Sequence, residues 1–503
     1  MQFTDIVFPF FLTVVFCLYW LVLRRSVLWQ NLLLLAASYT FYGWWDWRFL
    51  GLIMLTTATT YAAALFARGR WGKLITAANI VANLAILVAF KYFNFFSENI
   101  SRLFGLFGFS LDWFTLDVLL PVGISFYTFQ AISYSVDVYK GRVEPCRDLP
   151  AFCTFIAYFP QLVAGPIERA SQLLPQIVGE RRWRTDYAVS GMRMILFGLL
   201  KKLCVADMLA VYVDRMYDSG FHGGALVVLA AGVAFAIEIY CDFSAYSEIA
   251  RGVSRLFGIE LMANFRFPYF SRNVIELWRR WHISLMWWFR DYVYIPLGGS
   301  RRGQLRAALN TVAVFVLSGL WHGAAWNFVL WGVYWSVVYA IARYAFKMRS
   351  PDSPLEASGI PGMIATFGVV AFGLFIFRSP DWNCIAVGLR SAWIYVAAFG
   401  AAWAVMLSLV RLRFLRVAAG IVVLCAAAVA AWIVLPQWWL LLKGWWLVPA
   451  AIVLAVEWRS RNTDFALERM PRRRCARVAF YWLCLAFILL SEPVGMTFIY
   501  FQF

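Results

Sequence analysis

The chain has three histidines in 503 residues, and two of them lie in tryptophan-flanked stretches that are otherwise largely apolar. His322 sits in SGLWHGAAWN (Ser318 to Asn327) and His282 in WRRWHISLMWWFRDYVY (Trp278 to Tyr294). Desolvation disfavours a charged imidazole, so a buried histidine is held neutral and keeps a ring nitrogen that can accept a proton. That suits a general base. Metal binding is the weaker reading: there is no HxxxH or HExxH, and no cysteine pair lies near either histidine. On these residues alone, His322 is equally compatible with a catalytic or transport role and with a side chain that hydrogen-bonds to a neighbouring helix. The third histidine, His222 in FHGG, follows a Tyr-Asp-Ser-Gly turn signal and reads as an ordinary loop residue.

Carboxylates supply a second pattern. In AIEIYCDFSAYSEIA, Glu238, Asp242 and Tyr246 fall at i, i+4 and i+8 and share one helical face. Two carboxylates on one face of an apolar helix look inward, toward protein or a cavity, unless that end of the helix dips into lipid headgroups.

The elements that carry these residues belong to a membrane protein. Hydrophobic residues make up 63% of the chain and charged residues 14%, and apolar runs long enough to cross a bilayer recur from end to end. The formal net charge of +18 is spread in short clusters between those runs, which excludes a nucleic-acid-binding face and fits positive-inside bias. The nine cysteines occur singly, without a CxxC pair, and read as small core or lipid-facing residues. The run Ile6 to Leu23 lacks a basic leader and a small-residue cleavage site, so it reads as a retained transmembrane helix.

Clusters at Arg24-Arg25, Arg68 to Lys73, Glu180 to Arg184, Arg301 to Arg306, Arg343 to Arg349, Arg411 to Arg416 and Arg459 to Arg477 all favour the cytoplasmic side. Spans near 6–23, 28–45, 49–66, 74–93, 417–434, 438–456 and 478–490 then alternate, with both termini outside. About a dozen membrane-embedded segments are expected in one integral domain, 1–503, with no internal repeat. Its central part, 115–345, is richer in Gly, Pro and charge at membrane depth. PQLVAGPIER (Pro160 to Arg169) cannot be a regular helix and reads as a re-entrant or interfacial loop.

Between Arg306 and Arg343 lie 36 residues without Asp, Glu, Lys or Arg, enough for two spans whose turn falls near Gly319 and Gly323. His322 then sits at an outer hairpin apex or deep in the protein, and the sequence leaves both open. The stretch around His282 mixes Glu276, Arg279, Arg280, Arg290 and Asp291 with seven aromatic residues from Trp278 to Tyr294. It is expected as a helix at the interface or inside the protein, with Trp278 and His282 on one face.

Taken together, Trp278 to Gly299, Ser318 to Gly332, SYTFYGWW (Ser38 to Trp45), PVGISFYTFQAISYSVDVYKG (Pro121 to Gly141), LVAGPIER (Leu162 to Arg169), YCDFSAYSEIA (Tyr240 to Ala250) and the terminal FIYFQF (Phe498 to Phe503) resemble the membrane-bound O-acyltransferase family. The resemblance is to its bacterial branch that O-acetylates exopolysaccharides such as alginate. It runs in order over nearly the whole chain. Ala245 and Glu248 are mild departures, standing where that branch usually has glycine and aspartate.

The resemblance implies an all-α fold in which a ring of peripheral helices surrounds a thinner core with a through-tunnel, and it favours a buried His322. It assigns His322 and His282 as catalytic, with Trp321, Asn327, Asp242, Glu238, Tyr246 and Arg280 lining or bracing the interior. It also implies acetyl-CoA as acyl-donor substrate with no bound cofactor or metal, and location in the bacterial inner membrane. The acceptor is a polysaccharide hydroxyl or a serine of an extracytoplasmic partner transferase. Arg301 and Arg302 in LGGSRRGQLR could meet the CoA phosphates, although positive-inside topology alone would also place them there. The rival reading is a glycan or lipid transporter whose histidines and inward carboxylates relay protons.

Overall fold

In the computed structural model, residues 1–109, 120–221, 224–351, 359–411, 446–491 and 498–499 are described. His222, Cys425 and the expected span 417–434 lie outside them, as does part of 438–456. The described elements are all helices, α-helices interrupted or extended by short 3-10 and π turns. Among these residues, six helices are long and apolar enough to cross a membrane: Trp47–Phe66, Gly72–Gly105, Ala225–Leu256, Gln304–His322, Trp326–Ala345 and Ile360–Arg378. The pair Trp382–Arg390 and Ala392–Ala404, bent by 44°, makes a seventh if it is one span, and Val7–Val22 and Leu149–Leu162 are shorter apolar helices. The chain is an all-α polytopic membrane protein.

Burial separates the centre from the periphery. In Ala225–Leu256, 78% of the most apolar window is inside the protein, against 22% in Gly72–Gly105. The first is a central pillar and the second an outer helix with a lipid-facing side, and their polar residues follow suit. The pillar carries Glu238, Asp242 and Arg251, all buried, and the last two meet charged partners there. Two consecutive lysines at the end of the Thr185–Lys201 helix supply some of them. Lys201 Nζ lies 3.1 Å from Glu248 and 2.5 Å from Glu457 of the Leu447–Ser460 helix. Lys202 Nζ lies 2.7 Å from Asp207 and 2.5 Å from Asp242. The backbone N–H of Ile499 donates to Asp242 Oδ2 at 2.7 Å, so the end of the chain is fastened to the pillar.

Local signals fix several boundaries. The Ser26 and Asp148 side chains accept from backbone N–H groups at the starts of Val27–Gly43 and Leu149–Ala157, the second with Pro150 in its first turn. The charge-free run forms the expected hairpin of Gln304–His322 and Trp326–Ala340, broken at Gly323 to Ala325. Its helices meet backbone to backbone. A Cβ on Gly319 would overlap the Phe328 carbonyl, and one on Gly332 would lie 2.5 Å from the Phe315 oxygen. Small residues at such crossings let helices pack closely where lipid offers no hydrophobic drive.

The stretch around His282 departs from expectation. One helix ends at Leu277 and the next begins at Ile283, so Trp278 and His282 do not share a helical face. His282 adopts a left-handed conformation, φ 43° and ψ 54°. The reason is competition for the backbone by residues 264–266. The N–H of Ile283 donates to the Asn264 carbonyl at 2.8 Å, and the N–H of Arg266 donates to the Arg280 carbonyl at 3.0 Å. These bonds replace the helical ladder that the sequence pattern alone suggests.

Candidate active site

His322 is the last residue of Gln304–His322, and the hairpin break leaves it buried inside the protein. Its imidazole is walled by aromatic rings, with centroids 4.9 Å from Trp321, 5.4 Å from Trp331 and 5.2 Å from Phe377. His282 packs 4.7 Å from Phe243 and 5.7 Å from Trp321. The Trp321 indole therefore touches both imidazoles and brings together two residues from separate stretches of chain. Phe126 and Phe129 of the Ile124–Tyr139 helix hold that indole at 5.3 and 5.9 Å.

The backbone bearing His282 is stitched in place from several directions. Ser284 Oγ donates to Asn264 Oδ1 at 2.5 Å, Asn264 Nδ2 donates to Ser247 Oγ of the pillar at 3.1 Å, and the Ile167 N–H donates to Ser284 Oγ at 3.0 Å. The irregular LVAGPIER segment is thus a brace for this site, and its Pro and Gly residues free the backbone groups that do the bracing. Burial pushes the His282 imidazole down to about 3, so the ring is neutral throughout the physiological range.

Two cavities approach the pair. One is a vestibule of about 1040 Å³ whose cationic lining is Arg279, Arg290, Arg343, Lys347 and Arg349. Its apolar inner wall includes Trp278, Met286, Val314 and Phe315. Trp278 lies 6.0 Å from Trp331, the ring that packs on His322, so the two indoles of Trp278 and Trp331 stand between the vestibule and that imidazole. The second cavity is about 60 Å³ and is lined by His322 and Trp321 with Lys91, Pro121, Gly123 and Phe126. The vestibule lines the hairpin from Gly303 up to Phe315 and the small cavity meets its other end, on a helix about 28 Å long at 1.5 Å per residue.

The remaining sequence-derived positions divide by location. Trp321 is at the site itself. Asn327 donates through Nδ2 to the Phe377 carbonyl at 2.6 Å and fixes the ring that faces His322. Asp242 is engaged by Lys202 and the Ile499 N–H, and Tyr246 packs between Phe3 and Phe498 at 4.7 and 4.9 Å. Glu238 is buried on the pillar with Oε2 lacking a hydrogen-bond partner among the described residues. None of these three lines either cavity. Arg280 pairs with buried Glu276, 3.1 Å away, which also holds Arg272. Arg301 and Arg302 are exposed, on the turn between Ser300 and Gly303 of the vestibule rim. The sequence reading left Arg279, Arg343, Lys347 and Arg349 without a site role and passed over Lys91, although a single lysine in the apolar run VAFKYF is itself a signal.

Fold and site together define a polytopic helical membrane protein that holds two buried imidazoles against one tryptophan, with His322 lining a small cavity and set apart from a large basic vestibule by two indoles. The chain belongs to the membrane-bound O-acyltransferase family, whose profile matches residues 147–386, a segment that contains both histidines. It is similar to the probable alginate O-acetylase of Azotobacter vinelandii, 37% identical over 79% of this chain and 78% of that protein. It is also similar to the peptidoglycan O-acetyltransferase of Helicobacter pylori, 30% identical over 71% of this chain and 72% of the relative. The teichoic acid D-alanyltransferase of Bacillus subtilis is 28% identical over 52% of this chain and 69% of its own length. The protein is an O-acyltransferase.

Proposed function

We propose that the protein moves an acetyl group from acetyl-CoA to a hydroxyl destined for an exopolysaccharide of the alginate type, with His322 as general base. The placement of the His322 imidazole between the vestibule and the opposite cavity carries this reading. Acetyl-CoA docks from the cytoplasm, its phosphates meeting Arg279, Arg290, Arg343, Lys347 and Arg349, with Arg301 and Arg302 on the rim as outer contacts. The thioester arm follows the apolar wall past Trp278 and Phe315. The acceptor hydroxyl arrives from the opposite side, and His322 takes its proton as the oxygen attacks the thioester carbonyl. The C–O bond forms, the C–S bond breaks, and the imidazolium returns the proton to the departing CoA thiolate. Neutral His282 or a backbone N–H orients the acyl group or stabilises the oxyanion.

Two acceptors fit this scheme: the polysaccharide itself, or a serine of an extracytoplasmic partner transferase that completes the transfer. Both are served from outside the cytoplasmic membrane of a bacterium, with the basic clusters inside and both termini outside. Acetyl-CoA is substrate here, and the scheme requires no resident cofactor or metal. The transporter reading drew on inward carboxylates, and Asp242 is held in fixed contacts with Lys202 and the Ile499 N–H.

The test is CoA thiol release from acetyl-CoA by the full chain reconstituted in vesicles. His322→Ala is expected to lower turnover on the order of 10²- to 10⁴-fold, the usual contribution of a general base. Parental turnover in that variant would remove His322 from the mechanism.

A further inference from the structure

A helix leaves its last four carbonyls without intrahelical partners, and the helix that carries His322 gives three of them to another helix. Lys91 Nζ donates to the carbonyls of Trp321 and His322 at 2.7 and 3.0 Å. The adjacent Tyr92 hydroxyl donates to the Leu320 carbonyl at 2.7 Å. Both side chains project from the π-helical turn Val88–Tyr92 in the outer helix Gly72–Gly105. The next residue, Gly323, is extended at φ −163°, so no left-handed turn closes this helix end. One turn further along the outer helix Phe95 packs on the Trp326 indole at 5.7 Å, and a turn beyond it Asn99 Oδ1 accepts from Trp326 Nε1 at 2.9 Å. The segment 91–99 therefore grips the hairpin on both sides of its break.

We propose that Lys91 is a positioning residue of the transfer site: its ammonium caps the carbonyl end of the His322 helix and, with Tyr92, fixes where the imidazole points. A cation is the side chain best suited to a helix C-terminus, where aligned peptide dipoles leave partial negative charge. An ammonium has several donors, so one residue can serve adjacent carbonyls. The cost of carrying a lysine on the least buried of the spans is met by bonds at the place where a small displacement matters most, since about 1 Å of misplacement can cost on the order of 10²-fold in rate.

The inference rests on His322 acting as the base, and the experiment separates the two. CoA release from acetyl-CoA is measured for the reconstituted full chain and for Lys91→Met, Lys91→Arg, Tyr92→Phe and His322→Ala. Lys91→Met is expected to lower kcat on the order of 10²-fold with KM for acetyl-CoA unchanged, and Lys91→Arg, which keeps a cation with donors, is expected to restore most of it. Tyr92→Phe, which loses one bond, is expected to lower kcat by less, again with KM unchanged. Parental kcat in Lys91→Met, or equal losses in the Met and Arg variants, overturns the positioning role. If Lys91→Met does not purify as a folded protein, Tyr92→Phe decides, and parental kcat there overturns the proposal. A fully active His322→Ala sinks the base assignment instead, whatever the Lys91 variants do.

Discussion

At the scale of single residues, the two histidines differ in what holds them. His322 ends a helix and depends on the caps of that helix, whereas His282 sits in a left-handed backbone turn pinned by Asn264 and Ser284. Asparagine tolerates that conformation better than most residues, so His282→Asn removes the imidazole and keeps the turn. Its kcat for CoA release is expected to fall on the order of 10²- to 10³-fold, the range for loss of one oxyanion-stabilising group. Because burial holds the His282 imidazole at about 3, it takes up no proton as pH falls from 8 to 5. The acid limb of the rate profile in that interval is therefore expected to stay where it is in His282→Asn, and a displaced limb would show that His282 titrates in turnover. Both histidines stood out in sequence because a tryptophan-flanked imidazole in an apolar run has few roles. Lys91 did not, because its partners are backbone carbonyls far along the chain, and no sequence pattern marks a carbonyl as a ligand.

At the scale of elements, the hairpin was legible and the helix before it was not. A charge-free run of hairpin length with glycines at its middle admits few arrangements. The stretch from Ile275 to Tyr294 reads as a continuous helix only if its backbone groups bond to one another, and residues 264–266 take two of them, the Arg280 carbonyl and the Ile283 N–H. The irregular Gly165-Pro166 segment was recognised as broken, while its service as the brace of Ser284 depends on a contact that spacing cannot reveal. The hairpin also sets the distance between vestibule and small cavity, so its crossing must be tight. Gly332→Ala places a methyl 2.5 Å from the Phe315 oxygen and is expected to cost ~1–3 kcal/mol, as overpacking does. Thermal unfolding in detergent reads the stability and CoA release reads the activity. An unchanged midpoint would mean that the two helices slide apart freely.

At the scale of the whole molecule, the pillar Ala225–Leu256 joins the site to the rest of the chain. The resemblance in sequence was carried by motifs along nearly the full chain, and it implied the all-α fold, while composition supplied the polytopic membrane class. The face shared by Glu238, Asp242 and Tyr246 was read correctly as inward. The pairing of Asp242 with Lys202 was not foreseeable, because Lys202 lies in a segment that composition marks only as a helix end. Lys202→Met leaves Asp207 and Asp242 buried without their cation and is expected to destabilise the protein by about 3–5 kcal/mol. Unfolding midpoints check this, and adding Asp242→Asn to Lys202→Met is expected to recover part of the loss.

The neighbouring lysine has a consequence for biosynthesis. Lys201 Nζ meets two carboxylates, Glu248 at 3.1 Å and Glu457 at 2.5 Å, and the second of these is translated long after the first. A nascent chain that has inserted only as far as the hairpin holds Lys201 and Glu248 as a matched pair and lacks the second acceptor. Glu457 reaches the ammonium only when the Leu447–Ser460 helix arrives, so this late helix is tied to the end of the Thr185–Lys201 helix by a contact that forms after the hairpin is made.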